Sequence, residues 1–187
     1  MKLKKGCYGY LKKQRKWETI KTIIDFTISG AIFAMGYFTT GTKTNLLTIV
    51  AVLGCLPACK SAVIMFMYLK AKSCSGECYE KLQPYVGNTL MLYDLYLTSY
   101  EKNYQISAMA VKNSSLCGYT EDGKCDLTAG EKHISEILKQ DGYEGLTIKL
   151  FSNFSKFTDR LLQMESLSDK SEKKEVAIAE IIKSISL

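Results

Sequence analysis

The sequence predicts a two-helix transmembrane hairpin followed by a small α/β domain. Three observations predict it. Residues 22–39 and 46–69 are apolar stretches, each long enough to cross a bilayer core of roughly 30 Å as a helix. Only residues 40–45 separate them, so the helices run antiparallel and in contact. Behind them, residues 74–187 alternate β-branched and aromatic runs with amphipathic segments, the pattern of a mixed α/β fold.

Charge sets the expected orientation. Lys2, Lys4, Lys5, Lys12, Lys13, Arg15, Lys16 and Lys21 precede the first span, Lys43 alone lies in the loop, and Lys70 and Lys72 follow the second span. Cytoplasmic flanks carry the excess of Lys and Arg. The expectation is a multi-pass plasma-membrane protein with both termini cytoplasmic and a short external loop. A long basic flank, the lack of a small-x-small cleavage site and the second span favour a retained anchor over a signal peptide. The 187 residues carry a formal charge of +6. Residues 1–21 hold eight basic residues and Glu18, a net +7, so the other 166 carry −1. The basic balance is thus a property of the arm 1–21, suited to anionic lipid.

Inside the spans, Asp25 and Lys60 lie equally far from the loop centre, between Thr42 and Lys43. A lone charge in hydrocarbon is costly, which predicts an Asp25–Lys60 ion pair clipping the helices together. Pro57 predicts a kink or loosened backbone bonds in the second span. Gly30 and Gly36, opposite Gly54 and Ala58, predict close helix approach within the hairpin or between copies. Trp17 and Tyr37 sit where aromatic rings favour the interface.

The seven cysteines are an odd number expected to face the cytosol, so a disulfide framework is not predicted. Cys74, Cys78, Cys117 and Cys125, with His133 as a spare ligand, are the weak candidates for a metal site. Their spacing contains no CxxC pair, and no bound metal is predicted from it.

The domain reads as a helix over 77–85, strands over 89–98, 104–112 and 115–120, and a turn at Glu121-Asp122-Gly123. A helix over 127–140, a strand over 146–151 and helices over 155–167 and 172–185 follow, the last two separated by the polar stretch 168–171. The order is αβββαβαα.

Several local motifs accompany that order. Gly76-Glu77 opens the first helix, Gln105-Ile106 begins a strand, His133 sits in the later helix, and Leu150-Phe151-Ser152-Asn153 closes the next strand. With these, residues 74–155 resemble the nuclease-related NERD domain of the PD-(D/E)xK superfamily, whose restriction-endonuclease-like core is often attached to membrane spans. The resemblance implies two acids on neighbouring strands holding Mg²⁺ or Mn²⁺, with a nearby lysine helping to activate water. In one register Ser107 replaces the metal-binding Asp, Glu121 is the second acid, Gly123 stands at the lysine position, and Lys124 is one later. In the other, Ala110-Val111-Lys112-Asn113 mimics Glu-Val-Lys-Asn, with Lys112 present, Ala110 in place of the acid and Asp94 as the strand carboxylate. Neither register holds a full acid–acid–lysine set.

No Gly-rich phosphate loop, nucleophile elbow or clear zinc motif is present. In general look the chain also resembles small bacterial membrane proteins, some labelled glycosyltransferase-like, although some 114 cytoplasmic residues offer no nucleotide-sugar fold. The leading expectation is a membrane-tethered cytoplasmic binding or regulatory module without catalysis. The alternatives are a membrane-anchored nuclease-like or nucleic-acid-binding protein and a subunit of a larger membrane assembly, either a homo-oligomer or one with another membrane protein.

Overall fold

A computed structural model describes residues 4–41, 45–99, 102–166 and 172–187. The loop residues 42–44 with Lys43, the polar stretch 168–171, and Lys2 lie outside the described residues. The chain forms two compact units, Leu11–Ala71 and a second that joins Met1–Tyr10 to Lys72–Leu187.

The first unit is a hairpin of α1 (Tyr10–Thr40) and α2 (Leu46–Lys70), both long and apolar enough to cross a membrane. The basic stretch is largely the first turns of α1 rather than a separate arm. Leu11, Glu18, Thr22, Ser29 and Gly36 are buried in α1, and Ala51, Ala58, Ser61 and Tyr68 in α2. Steps of seven recur in both sets, the period of a left-handed helix seam. Small side chains let the backbones approach. A Cβ on Gly36 would stand 2.7 Å from Leu47 Cβ, and one on Gly54 would stand 3.1 Å from Ser29 Oγ. Gly30 has nothing within 4 Å of such an atom, so it belongs to the outer face and not to the seam. Asn45 ties the turn: its Oδ1 accepts the Thr48 N–H at 2.8 Å, and its Nδ2 donates to the Gly36 carbonyl at 2.9 Å. Helix α2 runs unbroken through Pro57. Ile23, Ile28, Phe38, Leu53, Leu56 and Phe66 are exposed, an outer surface that suits lipid.

The expected clip has a different partner. Ser61 Oγ donates to Asp25 Oδ2 at 2.7 Å, while Lys60 is exposed, and no Asp25–Lys60 ion pair exists among the described residues. One residue turns a helix by about 100°, so when Ser61 faces the seam its neighbour faces out. Equal distance from the loop fixes depth but not this rotation.

The second unit is a four-stranded mixed sheet of β1 (Leu90–Thr98), β2 (Asn103–Lys112), β3 (Ser115–Tyr119) and β4 (Thr147–Phe151), in that spatial order. β1, β2 and β3 form an antiparallel meander, and β4 lies parallel to β3. A parallel neighbour requires a crossover, which α4 (Leu127–Gln140) supplies. α4 and α6 (Glu172–Ile185) cover one face, around Leu95, Ile106, Met109, Ile134, Leu138 and Ile178. α3 (Gly76–Leu82), a 3-10 turn (Gln83–Tyr85) and α5 (Phe154–Glu165) accompany the other, around Leu82, Tyr93, Ala108, Cys117, Phe157 and Leu161.

Strict pleating would send residues three apart to opposite faces. Yet Leu92 and Leu95, and likewise Ile106 and Met109, pack in the same cluster. The change of parity falls where Asp94 lies level with Ser107, the one rung missing from the β1–β2 ladder, and Asp94 has φ 56°. As at a bulge, the irregularity re-aims a side chain. It frees Asp94 to reach outside the sheet.

The outer edge of β1 is covered, and that of β4 is met by one side chain. On β1 the Tyr93 N–H donates to the Gly6 carbonyl at 2.8 Å, the Tyr96 N–H to Ser186 Oγ at 3.0 Å, and the Leu187 N–H to the Tyr96 carbonyl at 3.0 Å. On β4 the Leu150 N–H donates to Glu131 Oε1 at 2.8 Å. Covered edges resist pairing with other chains.

Candidate functional site

Residues 72–75 leave α2 and enter the α/β unit, and three side chains of the sheet unit hold them. Gln105 of β2 pairs with the Lys72 backbone in both directions: its Oε1 accepts the N–H at 2.9 Å and its Nε2 donates to the carbonyl. Asp94 accepts Ser73 Oγ on both carboxylate oxygens, at 2.8 and 2.7 Å, and the Cys74 N–H at 2.7 Å. Glu121, just beyond β3, accepts the Ser75 N–H at 2.9 Å and Ser75 Oγ at 2.6 Å. Ser75 Oγ in turn caps α3 by accepting the Cys78 N–H at 3.1 Å. Ser107 Oγ accepts the Glu121 N–H at 3.2 Å and holds that turn in place. Hydrogen bonds to ionised carboxylates are about twice as strong as neutral ones. Asp94 is 1% exposed, so its charge depends on these donors.

The same clasp gathers two thiols and a carboxylate. One ligand atom each from Cys74, Cys78 and Glu121 lies within 4.8 Å of the others. Both cysteines are buried and Glu121 is exposed. The Cys74 thiol is pushed far up, first by its hydrogen bond with Cys78, then by burial and by the negative charge of Cys78, Glu121 and Asp94. An open notch of about 220 Å³ lies on the Glu121 side of the group, lined by Lys72, Ser73, Ser75, Gln105, Ser107, Glu121 and Asp122.

The four candidate cysteines separate. Cys117 shares the apolar cluster of Cys74 and Cys78, where burial pushes its thiol up to about 12, but it is not among the converging ligand atoms. Cys125 packs on the opposite face of the sheet. His133 stacks obliquely on Tyr104, also on that face, with ring centroids 5.6 Å apart.

The nuclease-like set does not assemble. Asp94 and Glu121 meet at residues 73–75, where their oxygens accept from Ser73, Cys74 and Ser75. Lys112 lies five residues along β2 from Ser107, roughly 17 Å at strand rise. It is 2% exposed, and its Nζ donates to the Glu165 carbonyl at 3.3 Å. Lys124 is exposed in the turn, its N–H donating to Asp122 Oδ1. Mg²⁺ or Mn²⁺ prefers all-oxygen coordination with retained water. The two acids instead hold backbone beside two sulfurs, and do not fit that role.

Sequence reasoning named Asp94, Glu121, Cys74 and Cys78, but under separate headings. It missed Ser73 and Ser75, whose one legible signal is the cap position of Ser75 before Gly76-Glu77. No protein-family model, curated protein or solved structure matches the chain.

Proposed function

We propose that this chain is a membrane-tethered binding or regulatory module without catalysis, its α/β domain and both termini in the cytoplasm. One observation carries the reading. Asp94, Gln105 and Glu121, the polar side chains a nuclease would direct at a metal and substrate, are spent on the segment that follows α2. Acceptors committed to backbone do not activate water. They hold the tether, and a partner that strains or relieves this clasp would change how the domain is presented. The basic residues before the first span support anionic lipid as a further contact. The αβββαβ order supports a nuclease-related ancestry for the fold, and fold alone does not assign chemistry.

The test uses the full chain in lipid nanodiscs with single- and double-stranded DNA and RNA and Mg²⁺ or Mn²⁺. The expected result is no cleavage above a Lys112→Ala control. Metal-dependent cutting that disappears in Asp94→Asn would establish the nuclease reading instead.

A second reading, a subunit of a larger membrane assembly, is favoured by Lys60. It is an exposed cation ten residues inside the end of α2, and charges at such depth are kept where they meet a partner. Cross-linking in nanodiscs should then give a discrete oligomer that Lys60→Leu dissolves; a monomer in both would remove this reading.

A further inference from the structure

We propose that Cys74, Cys78 and Glu121 form a binding site for a thiophilic divalent cation of the zinc class, with water from the adjoining notch as fourth ligand. Two sulfurs and one oxygen are a donor set for zinc-like ions, not for magnesium or calcium. Bond lengths of about 2.3 Å to sulfur and 2.0–2.2 Å to oxygen place tetrahedral ligands roughly 3.3–3.8 Å apart. The three ligand atoms already lie within 4.8 Å of one another, so side-chain rotation of about 1 Å closes the set.

The backbone beneath the ligands is fixed in advance. Cys74 is held at its N–H by Asp94, and Ser75 at its N–H and hydroxyl by Glu121. The same hydroxyl holds the Cys78 N–H. The two cysteines are therefore anchored through their N–H groups and not through sulfur, and Glu121 is anchored through its own N–H to Ser107 Oγ. Each Glu121 oxygen keeps a lone pair beyond the one bonded to Ser75. Hydrogen-bonded support behind the ligands is what raises affinity in metal sites. Glu121 lines the notch while both thiols are buried, so the Glu121 side of the group is the one open to solvent for a fourth ligand.

Binding is written M²⁺ + two thiols + one carboxylate → the bis-thiolate carboxylate complex + 2 H⁺, with no redox partner. The released protons make affinity rise with pH. The site shares Glu121 with the clasp of the binding-module reading, and its test reads only the ion.

The experiment uses the full chain in detergent, reduced with a phosphine and stripped with chelator. Co²⁺ is titrated while the near-ultraviolet thiolate-to-cobalt band is followed, and Zn²⁺ is then used to displace it. The expected result is one Co²⁺ per chain with that band, displaced by Zn²⁺. Cys78→Ser, which keeps the Cys78 N–H bond to Ser75 and a hydroxyl beside the Cys74 thiol, should weaken binding by at least roughly tenfold, and Cys125→Ser should leave it unchanged. Zinc-edge X-ray absorption on the wild-type chain needs no variant and should show two sulfur and two light scatterers. No stoichiometric thiolate band, a band that survives in Cys78→Ser, equal loss in Cys125→Ser, or a sulfur count other than two would each overturn the proposal.

Discussion

The Asp94 carboxylate accepts the Cys74 N–H at 2.7 Å and so ties the middle of β1 to the segment that follows α2. Asp94 adopts φ 56°, a conformation that aspartate tolerates better than most residues. Replacement by Ala removes the acceptor of two donors, the Ser73 hydroxyl and the Cys74 N–H, and leaves a strained Ala in that conformation. The expected cost is at least about 3 kcal/mol in denaturant unfolding. Asn, which also tolerates this φ, should cost about half as much. Amide exchange at Cys74 and Ser75 should accelerate in both variants, and unchanged protection would refute the clasp.

Leu150 of β4 packs across two glycines at once. A Cβ on Gly118 would stand 2.5 Å from one of its methyls, and a Cβ on Gly130 2.9 Å from the other. Gly118→Ala should therefore destabilise by about 1–3 kcal/mol through overpacking. Shortening Leu150 to Ala in that background should cost less than the two changes summed, by about 0.5 kcal/mol or more. A thermodynamic double-mutant cycle measures the difference, and strict additivity would count against the contact.

In the hairpin, Gly36→Leu should separate the helices while Gly30→Leu should not. The readout is the yield of a disulfide engineered between α1 and α2, compared in the two variants. Ser61→Ala should lower hairpin stability by only about 0.6 kcal/mol, the usual size of a polar contact between membrane helices.

Alkali should unfold the α/β unit. Burial pushes the Cys117 thiol and the Tyr93 hydroxyl each up to about 12. In the unfolded chain these groups ionise near their ordinary values of about 8.5 and 10. Because each folded pKa is raised, the unfolded state loses protons first. Stability is then full below about pH 8.5 and falls as pH rises toward 12. Thermal melts between pH 7 and 11 should show this decline, reduced in Cys117→Val. A flat profile would contradict it.

Much of this fold is legible in the sequence. α4 and α6 fall on 127–140 and 172–185 as their apolar spacing indicates, and the β1, β2, β3 and β4 bounds differ from expectation by a single residue at one end. Amphipathic periods and turn residues are local signals, so they survive folding. The α1 start at Tyr10 was hidden because basic residues continue a helix without being apolar. The site was less legible for a geometric reason. Cys74, Asp94 and Glu121 are far apart in the chain, and their meeting depends on the parity break at Asp94, which no pattern of residue types announces. Rotation also hid Ser61 as the partner of Asp25, since sequence distance from a turn measures depth alone.

The covering of β1 has a consequence for the order of assembly. Its outer edge is closed by Gly6 on one side and by Ser186 and Leu187 on the other. A ribosome makes Gly6 before the hairpin and Ser186 after every helix of the domain. The edge strand therefore stays half bare throughout synthesis of α4, β4 and α5, and is sealed only when α6 has been made. Nascent chains stalled before residue 186 should be the species that chaperones or proteases find, because the Tyr96 edge is still unpaired in them.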